Sequence, residues 1–274
     1  MKLIADSGST KTAWHVGDAD FETQGINPFH QTDDVVADIL RNELLPQLPP
    51  KAVVTEVFFY GAGCTRQMSS RMAGLLQAVL GSDVAVEVGS DMLGAARALC
   101  QTAEGIACIL GTGANSCYYD GTAISDNVSP LGYILGDEGS AAYIGKRLVG
   151  DVLKRQMPQD VCKLFFDETG LDATIIINKV YREPLANRFL GQVSQFCWRH
   201  RDCEAIHVLL VDCFRQFFVR NVAAYMRPDL DVHFVGSVAH FYRDELSEAA
   251  TMCGFKVGNV MRAPMDGLIK YHGA

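Results

Sequence analysis

Leu3-Ile4-Ala5-Asp6-Ser7-Gly8-Ser9-Thr10-Lys11-Thr12-Ala13-Trp14-His15-Val16 is a short apolar run, a cluster of small hydroxylated residues, and a second run. That order predicts two strands, Lys2 to Asp6 and Thr12 to Val16, joined by a tight turn. Gly8 permits positive φ, and the small side chains leave room for backbone N–H groups to meet phosphate oxygens. Ser9, Thr10 and Lys11 add donors. Asp6, at the strand end, suits a hydrated Mg²⁺ beside those phosphates. The sequence Gly-x-x-x-x-Gly-Lys-Ser/Thr of a Walker loop does not occur in this stretch. A plain hairpin turn draws on the same residue types, so the turn alone leaves both readings open.

Outward from this hairpin, Phe21 to Ile26 reads as a third strand, giving an antiparallel meander. A helix follows over Asp33 to Leu45, ended by Pro46, Pro49 and Pro50. Val53 to Tyr60 reads as a buried strand, Met68 to Leu80 as a helix, Val84 to Val88 as a strand and Asp91 to Cys100 as a helix. The plan then restarts. Ile106 to Leu110 runs into a second glycine turn, Gly111-Thr112-Gly113, followed by strands over Ser116 to Tyr119 and Thr122 to Ser125. We read two copies of a β-β-β-α-β-α unit. Residues 139–226 are mostly helical, punctuated by Pro158, Gly170, Pro184 and Asp202. Val232 to Val235 is a strand leading into Gly236-Ser237, a junction that lets a ligand approach the backbone. A helix over Phe241 to Met252, a strand over Phe255 to Val260 and a helix over Met265 to Tyr271 complete the chain. The expected division is 1–104 and 105–274, with the last helix packing back on the first domain.

Composition narrows the function. Of 274 residues, 49% are hydrophobic and 20% charged, the balance of a folded globular chain rather than a disordered one. The net charge of −8 argues against a nucleic-acid partner. No run approaches the ~18 apolar residues of a membrane span. Met1 to Asp6 lacks the apolar core and cleavage site of a leader, so the expected compartment is the cytoplasm. Nine cysteines occur with no Cys-x-x-Cys spacing, and Cys108, Cys117 and Cys213 lie in apolar runs. They read as buried reduced thiols. Trp14, Trp198 and the Phe214, Phe217, Phe218 stripe read as core or subunit interface. Arg199-His200-Arg201 reads as a solvated basic loop.

Together the motifs resemble a known superfamily. Asp6, Gly8, Thr10 and Thr12 resemble the first phosphate motif of actin, the heat-shock chaperones and the sugar kinases. Gly111-Thr112-Gly113 resembles the second, and Val235-Gly236-Ser237-Val238 the adenosine motif. Within that group, Gly136-Asp137-Glu138-Gly139-Ser140-Ala141 is similar to a stretch of the N-acetylglucosamine kinases. The resemblance covers nearly the whole chain. It implies an α/β fold of two ribonuclease-H-like, actin-like ATPase domains with an interdomain cleft, binding ATP with Mg²⁺ and a sugar. The implied protein is a homodimer that phosphorylates the 6-hydroxyl of N-acetylglucosamine or a related hexosamine.

The resemblance also assigns residues. Asp91 takes the position of the catalytic Asp, the base that accepts the sugar hydroxyl proton; as a residue at a helix start, it is equally suited to N-capping. Asp137 matches the Asp that bonds sugar hydroxyls, although it also suits the first turn of the helix that follows. Asn27, in Gly25-Ile26-Asn27-Pro28, matches an Asn that contacts sugar, and is also a turn initiator. Thr112 and Asn115 lie where the second hairpin meets phosphate and sugar. Gly8, Ser9, Thr10, Lys11, Gly111, Gly113, Gly236 and Ser237 fall to the nucleotide, with Asp6 as the metal-side carboxylate. Departures occur near the sugar: Tyr60-Gly61-Ala62-Gly63-Cys64 stands where the kinases carry Ser-Gly-Gly, and Met92 and Leu93 follow Asp91. The alternative is a BadF-type ATPase, activator or regulator, coupling hydrolysis to a partner protein. Cys108 has the spacing to Gly111-Thr112-Gly113 of the activators' cluster cysteine, but Ile109 and Leu110 replace their small residues.

Overall fold

Burial on alternate positions sets the first strand pair: Thr12, Trp14 and Val16 turn inward, and Trp14 lies opposite Ala5. The computed structural model describes residues 1–274 except Ser9 and Lys51, and for Arg66 the backbone alone. The chain divides into two compact units. Unit 1 is Met1–Ala103, Asp120–Ile124 and Ala263–Ala274; unit 2 is Glu104–Tyr119 and Ser125–Arg262.

In unit 1, β1 (Lys2–Ser7), β2 (Lys11–Val16) and β3 (Ala19–Gln24) form the expected antiparallel meander. Helix α1 (Asp33–Ile39) continues as a π turn over Leu40–Leu44 and a 3₁₀ turn over Leu45–Gln47. Then come β4 (Glu56–Gly61), α2 (Arg66–Leu80), β5 (Ala85–Ser90) and α3 (Asp91–Cys100). Strands β1, β4 and β5 run parallel, and the sheet order is β3-β2-β1-β4-β5. Tyr60 is buried under α3 because Gly94 and Gly89 leave room for its ring; a Cβ at Gly94 would approach it to 2.8 Å.

Unit 2 repeats the plan with β6 (Gly105–Leu110), β7 (Ala114–Tyr119) and β8 (Ile124–Asp126). The helices α4 (Gly132–Leu135), α5 (Ala141–Leu153), α6 (Gln159–Thr169), α7 (Ala173–Tyr181), α8 (Ala186–Val193), α9 (Gln195–Arg199) and α10 (Glu204–Arg220) follow. After these come β9 (Val232–Val235), α11 (Ser237–Phe241), α12 (Arg243–Met252) and β10 (Val257–Met261). Helix α13 (Met265–His272) ends the chain and packs on α3 of unit 1. The second sheet has the order β10-β9-β6-β7-β8, with β6 to β10 in the places of β1 to β5.

Three expectations need correction. The helix foreseen over 241–252 starts at Arg243, and a separate short helix, α11, precedes it and ends before the buried Tyr242. The strand foreseen from Val53 starts at Glu56, where pairing with Lys2 begins. The basic loop is not merely solvated: Arg199 and His200 pair with Glu168, and Arg201 pairs with Asp244 and the buried Glu245. Trp14, Phe214, Phe217 and Phe218 are core residues, and every cysteine is free.

Candidate active site

The parallel register of unit 1 levels three strand ends. Ser7 is paired with Gly61, and Gly61 with Ser90. Asp6 therefore lies at the carboxyl end of β1, and Asp91 one residue past the end of β5, where ligands of open α/β sheets bind. Ser90 caps α3, its hydroxyl accepting the Leu93 N–H at 3.1 Å. Asp91 is thus relieved of capping; its Oδ1 accepts the Met92 N–H at 2.9 Å. Burial raises the Asp91 carboxyl above the usual carboxylate range, against the pull of the Met92 N–H. Burial, and then the charge of Asp91, push Asp6 up to about 6, with Lys11 opposing. Each carboxylate is costly where it stands, as a functional pair is expected to be.

The first hairpin differs from its sequence reading. Gly8 does not take positive φ, and its N–H donates to the Lys11 carbonyl at 3.0 Å, closing the turn instead of facing a ligand. A Cβ at Gly8 would meet only that carbonyl oxygen, at 3.6 Å, so the chain itself does not demand glycine there. Lys11 pairs with Glu22 across the β2–β3 ladder, both ends exposed. Thr10 is exposed, and its carbonyl accepts the Gly25 N–H at 3.0 Å. Ser9 lies outside the described residues. Behind the turn, the Ser7 hydroxyl bonds Thr12 Oγ1 at 2.6 Å and donates to the Ile26 carbonyl at 2.8 Å, fixing the segment that leads to Asn27.

Asn27 initiates a turn: its Oδ1 accepts the Phe29 N–H at 3.0 Å. The Gln31 side chain braces the loop, accepting the Asn27 N–H at 2.8 Å and donating to the Gly25 carbonyl at 3.0 Å. Gly63, with φ +78°, presses on Asn27; a Cβ there would overlap Asn27 Oδ1. The departing turn Gly61-Ala62-Gly63-Cys64 is thereby locked to the Asn27 loop. Cys64 is buried, and its thiol is pushed up to about 12 by burial and then by the charge of Asp91. Sequence reading marked Cys64 only as a departure; the structure makes it a neighbour of the candidate base. Met92 is buried beneath α3.

In unit 2 the Gly111 N–H donates to the Gly113 carbonyl at 2.9 Å. The Gly111 and Thr112 carbonyls accept the Ala141 and Ala142 N–H groups at 2.9 and 3.2 Å, so the first turn of α5 holds the hairpin. A Cβ at Gly111 would meet nothing within 4 Å. One at Gly113 would meet the Asp137 carboxylate at 3.2 Å, and Asp137 Oδ1 accepts the Ala114 N–H at 3.3 Å. Asp137 holds a left-handed φ of 54°, with its N–H on the Pro130 carbonyl at 3.0 Å. Burial raises the Asp137 carboxyl, the Ala114 N–H opposes, Glu138 adds to the rise and Lys146 counters it. Asn115 Oδ1 accepts from the Ser116 N–H and from Asn127 Nδ2, at 2.9 and 3.1 Å. Gly236, at φ +124°, sits against the end of β6, where a Cβ would overlap the Leu110 carbonyl oxygen. Exposed Ser237 opens α11 beside it. The adenosine-like motif and the second hairpin therefore adjoin within one unit.

Sequence reading missed two features. Ser90 as the true cap was legible, since a Ser directly before a helical run is a capping signal. The partner of Glu138 carried no such mark: the side chain pairs with Arg220 Nε at 2.7 Å. Among the described residues, no group of three or more His, Cys, Asp and Glu side chains is placed to hold a metal ion. No helix among them is long and apolar enough to cross a membrane.

Two five-stranded sheets of one topology, each opening on a hairpin, define the actin-like ATPase fold. The chain is 50% identical to a candidate N-acetylglucosamine kinase from Porphyromonas gingivalis, over 99% of this chain and 98% of that one, with a TM-score of 0.93. A second candidate N-acetylglucosamine kinase, from Chromobacterium violaceum, covers 98% of each chain at 16% identity and a TM-score of 0.76. The ROK hexokinase of Thermus thermophilus shares 14% identity over 98% of this chain and 96% of that one, with a TM-score of 0.52. These last two likenesses show the fold alone. No protein-family profile and no curated protein matches the chain. The chain belongs to the N-acetylglucosamine-kinase-like family of the actin and sugar-kinase superfamily.

Proposed function

We propose that this chain is an ATP-dependent kinase that transfers the γ-phosphoryl group to the 6-hydroxyl of N-acetylglucosamine or a related hexosamine. The observation that carries the reading is at α3: Ser90 does the capping, so Asp91, held only by backbone N–H such as that of Met92, stands at the carboxyl end of the sheet beside Asp6. Asp91 accepts the hydroxyl proton as the sugar oxygen attacks phosphorus and ADP departs. Its raised proton affinity brings it nearer the working pH, where a general base is most effective. Asn27, Asn115 and Asp137 hold the sugar hydroxyls and so orient the attacking oxygen. Ser9, Thr10, Lys11 and Thr112 serve the phosphates, which Gly8, Gly111 and Gly113 admit by lacking a side chain rather than through the Gly8 and Gly111 N–H groups, while Gly236 and Ser237 serve the adenosine. Asp6 fits a hydrated Mg²⁺: a buried oxygen donor repelled by a second carboxylate gains most from a hard cation. When bound, that ion neutralises charge on the transferring phosphate.

The activator reading gains nothing here. Cys108 is fully buried within the unit 2 core, where it cannot serve a cluster between subunits. We take the protein to be a homodimer of the 29.9 kDa chain, for which sedimentation of the pure protein should give twice that mass; a monomer mass would overturn this. The chemistry is tested by incubating the protein with Mg·ATP and N-acetylglucosamine and recording proton–phosphorus correlations of the product. Phosphorus coupled to the C6 protons is expected. Coupling elsewhere would overturn the 6-hydroxyl, and no phosphorylated hexosamine would overturn the kinase.

A further inference from the structure

Asp137 and Glu138 are adjacent carboxylates with opposite attachments. Asp137 faces the second hairpin through Ala114 and Gly113. Glu138 faces the last turn of α10, bonding Arg220 Nε through Oε1 at 2.7 Å, with Asn221 Nδ2 at 3.4 Å from Oε2. Gly139, at φ +74°, lies flush on the same helix, where a Cβ would come within 3.1 Å of Phe217 Cβ. A left-handed Asp137 is thus clamped from both sides, by the hairpin before it and the helix after it.

The Glu138 side chain is 7% exposed, whereas that of Arg220 is 56% exposed. Burying a carboxylate next to another carboxylate is unfavourable, and an apolar residue would close the same gap with less penalty. The cation lies at the last residue of α10, where it also complements the helix dipole. An ion pair in place of an apolar plug fixes direction as well as contact, since it holds the backbone of residue 138 to one point on α10.

We infer that the Glu138–Arg220 pair is a positioning device that fixes Asp137 as the acceptor of sugar hydroxyls. The inference rests on reading Asp137 as a sugar contact. Glu138 itself touches no substrate; it acts through the backbone it shares with Asp137.

The test compares wild type with E138Q, R220Q, R220K and the E138Q/R220Q double variant, recording KM for sugar, KM for ATP, kcat, sugar affinity by calorimetry, and Tm. E138Q and R220Q should each raise the sugar KM and sugar Kd about tenfold, with the ATP KM within about twofold and any fall in kcat smaller than the loss of sugar affinity. The double variant should be no worse in sugar KM than either single one, because one interaction is lost once. R220K, which keeps the charge, should recover most of the sugar affinity. R220Q should lower Tm more than E138Q, since it strands a buried charge while E138Q frees an exposed one. A fall in Tm with unchanged sugar KM and Kd would overturn the inference and leave the pair purely structural. An equal loss in ATP KM and kcat would overturn it too, as general damage. A wild type with no sugar-dependent turnover and no sugar binding would instead bring down the kinase reading, and this inference with it.

Discussion

A Cβ on Gly236 would overlap the Leu110 carbonyl oxygen and one on Gly113 would press on Asp137, but one on Gly8 or Gly111 would meet almost nothing. The first two glycines are explained by the chain's own packing. Packing does not explain the other two, and the phosphate role we propose for these turns would. Gly236→Ala should therefore destabilise the protein by more than about 1 kcal/mol, from strain at positive φ and the overlap. Gly8→Ala and Gly111→Ala should change stability by less than about 1 kcal/mol while weakening ATP binding measured by calorimetry. Equal ATP affinity in both would remove the phosphate role from these turns. Asp6 gives a second residue-scale outcome. Its folded pKa of about 6 lies above the 3.8 of an ordinary aspartate, so its contribution favours folding below the lower value and is lost as pH rises through about 6. Asp6→Asn should raise the unfolding free energy at pH 7.5 by about 1–3 kcal/mol, with a smaller gain at pH 5, and should abolish the extra stability conferred by Mg·ATP. A destabilised variant at pH 7.5 would contradict the account.

At the scale of elements, α3 shows how much a sequence can disclose. The span 91–100 follows from Ala and Leu at helical spacing, yet the choice between Asp91 as cap and Asp91 as base is not made by spacing at all. Ser90, whose hydroxyl reaches Leu93 N–H, takes the cap from Asp91, and the base is our proposal. Ser90→Ala should cost about 1 kcal/mol of stability, and Ser90→Thr much less, by chemical denaturation. The π turn over Leu40–Leu44 was not legible either, because apolar spacing does not separate i+4 from i+5 bonding. Helix α13 docks on α3 through Gly267, where a Cβ would approach the Ala98 carbonyl oxygen to 2.5 Å. Near its end His272 stacks on Phe58 at 3.7 Å, and its Nε2 bonds the Tyr60 hydroxyl at 2.8 Å. Burial, then Arg97, depress its pKa from 6.5 to about 4. The unfolded chain therefore binds the proton first, and this stabilisation is complete above pH 6.5 and lost as pH falls towards 4. Tm should drop across that window, and His272→Phe should flatten that part of the profile. An unchanged profile in the variant would remove His272 as the cause.

At the scale of the whole molecule, the repeated sheet order was legible because each copy opens with the same device, an apolar run broken by a glycine turn. The surroundings of the proposed sugar contacts were less so. Asn27, Cys64 and Asp137 are set by contacts distant in sequence, with Gly63 against Asn27, Cys64 near Asp91 and Asp137 against Gly113. No local pattern encodes such pairs. The central claim is that two carboxylates at the end of the first sheet serve phosphoryl transfer to an amino sugar. It is tested most directly by ADP release from Mg·ATP with N-acetylglucosamine, glucosamine, N-acetylmannosamine, N-acetylmuramic acid, glucose or no sugar, for wild type and Asp91→Asn. The account predicts release that depends on a hexosamine, falls by about 10²–10⁴-fold in Asp91→Asn, and in the wild type loses rate on acidification above the range of an ordinary aspartate. Release that is indifferent to sugar, or undiminished in Asp91→Asn, would contradict it.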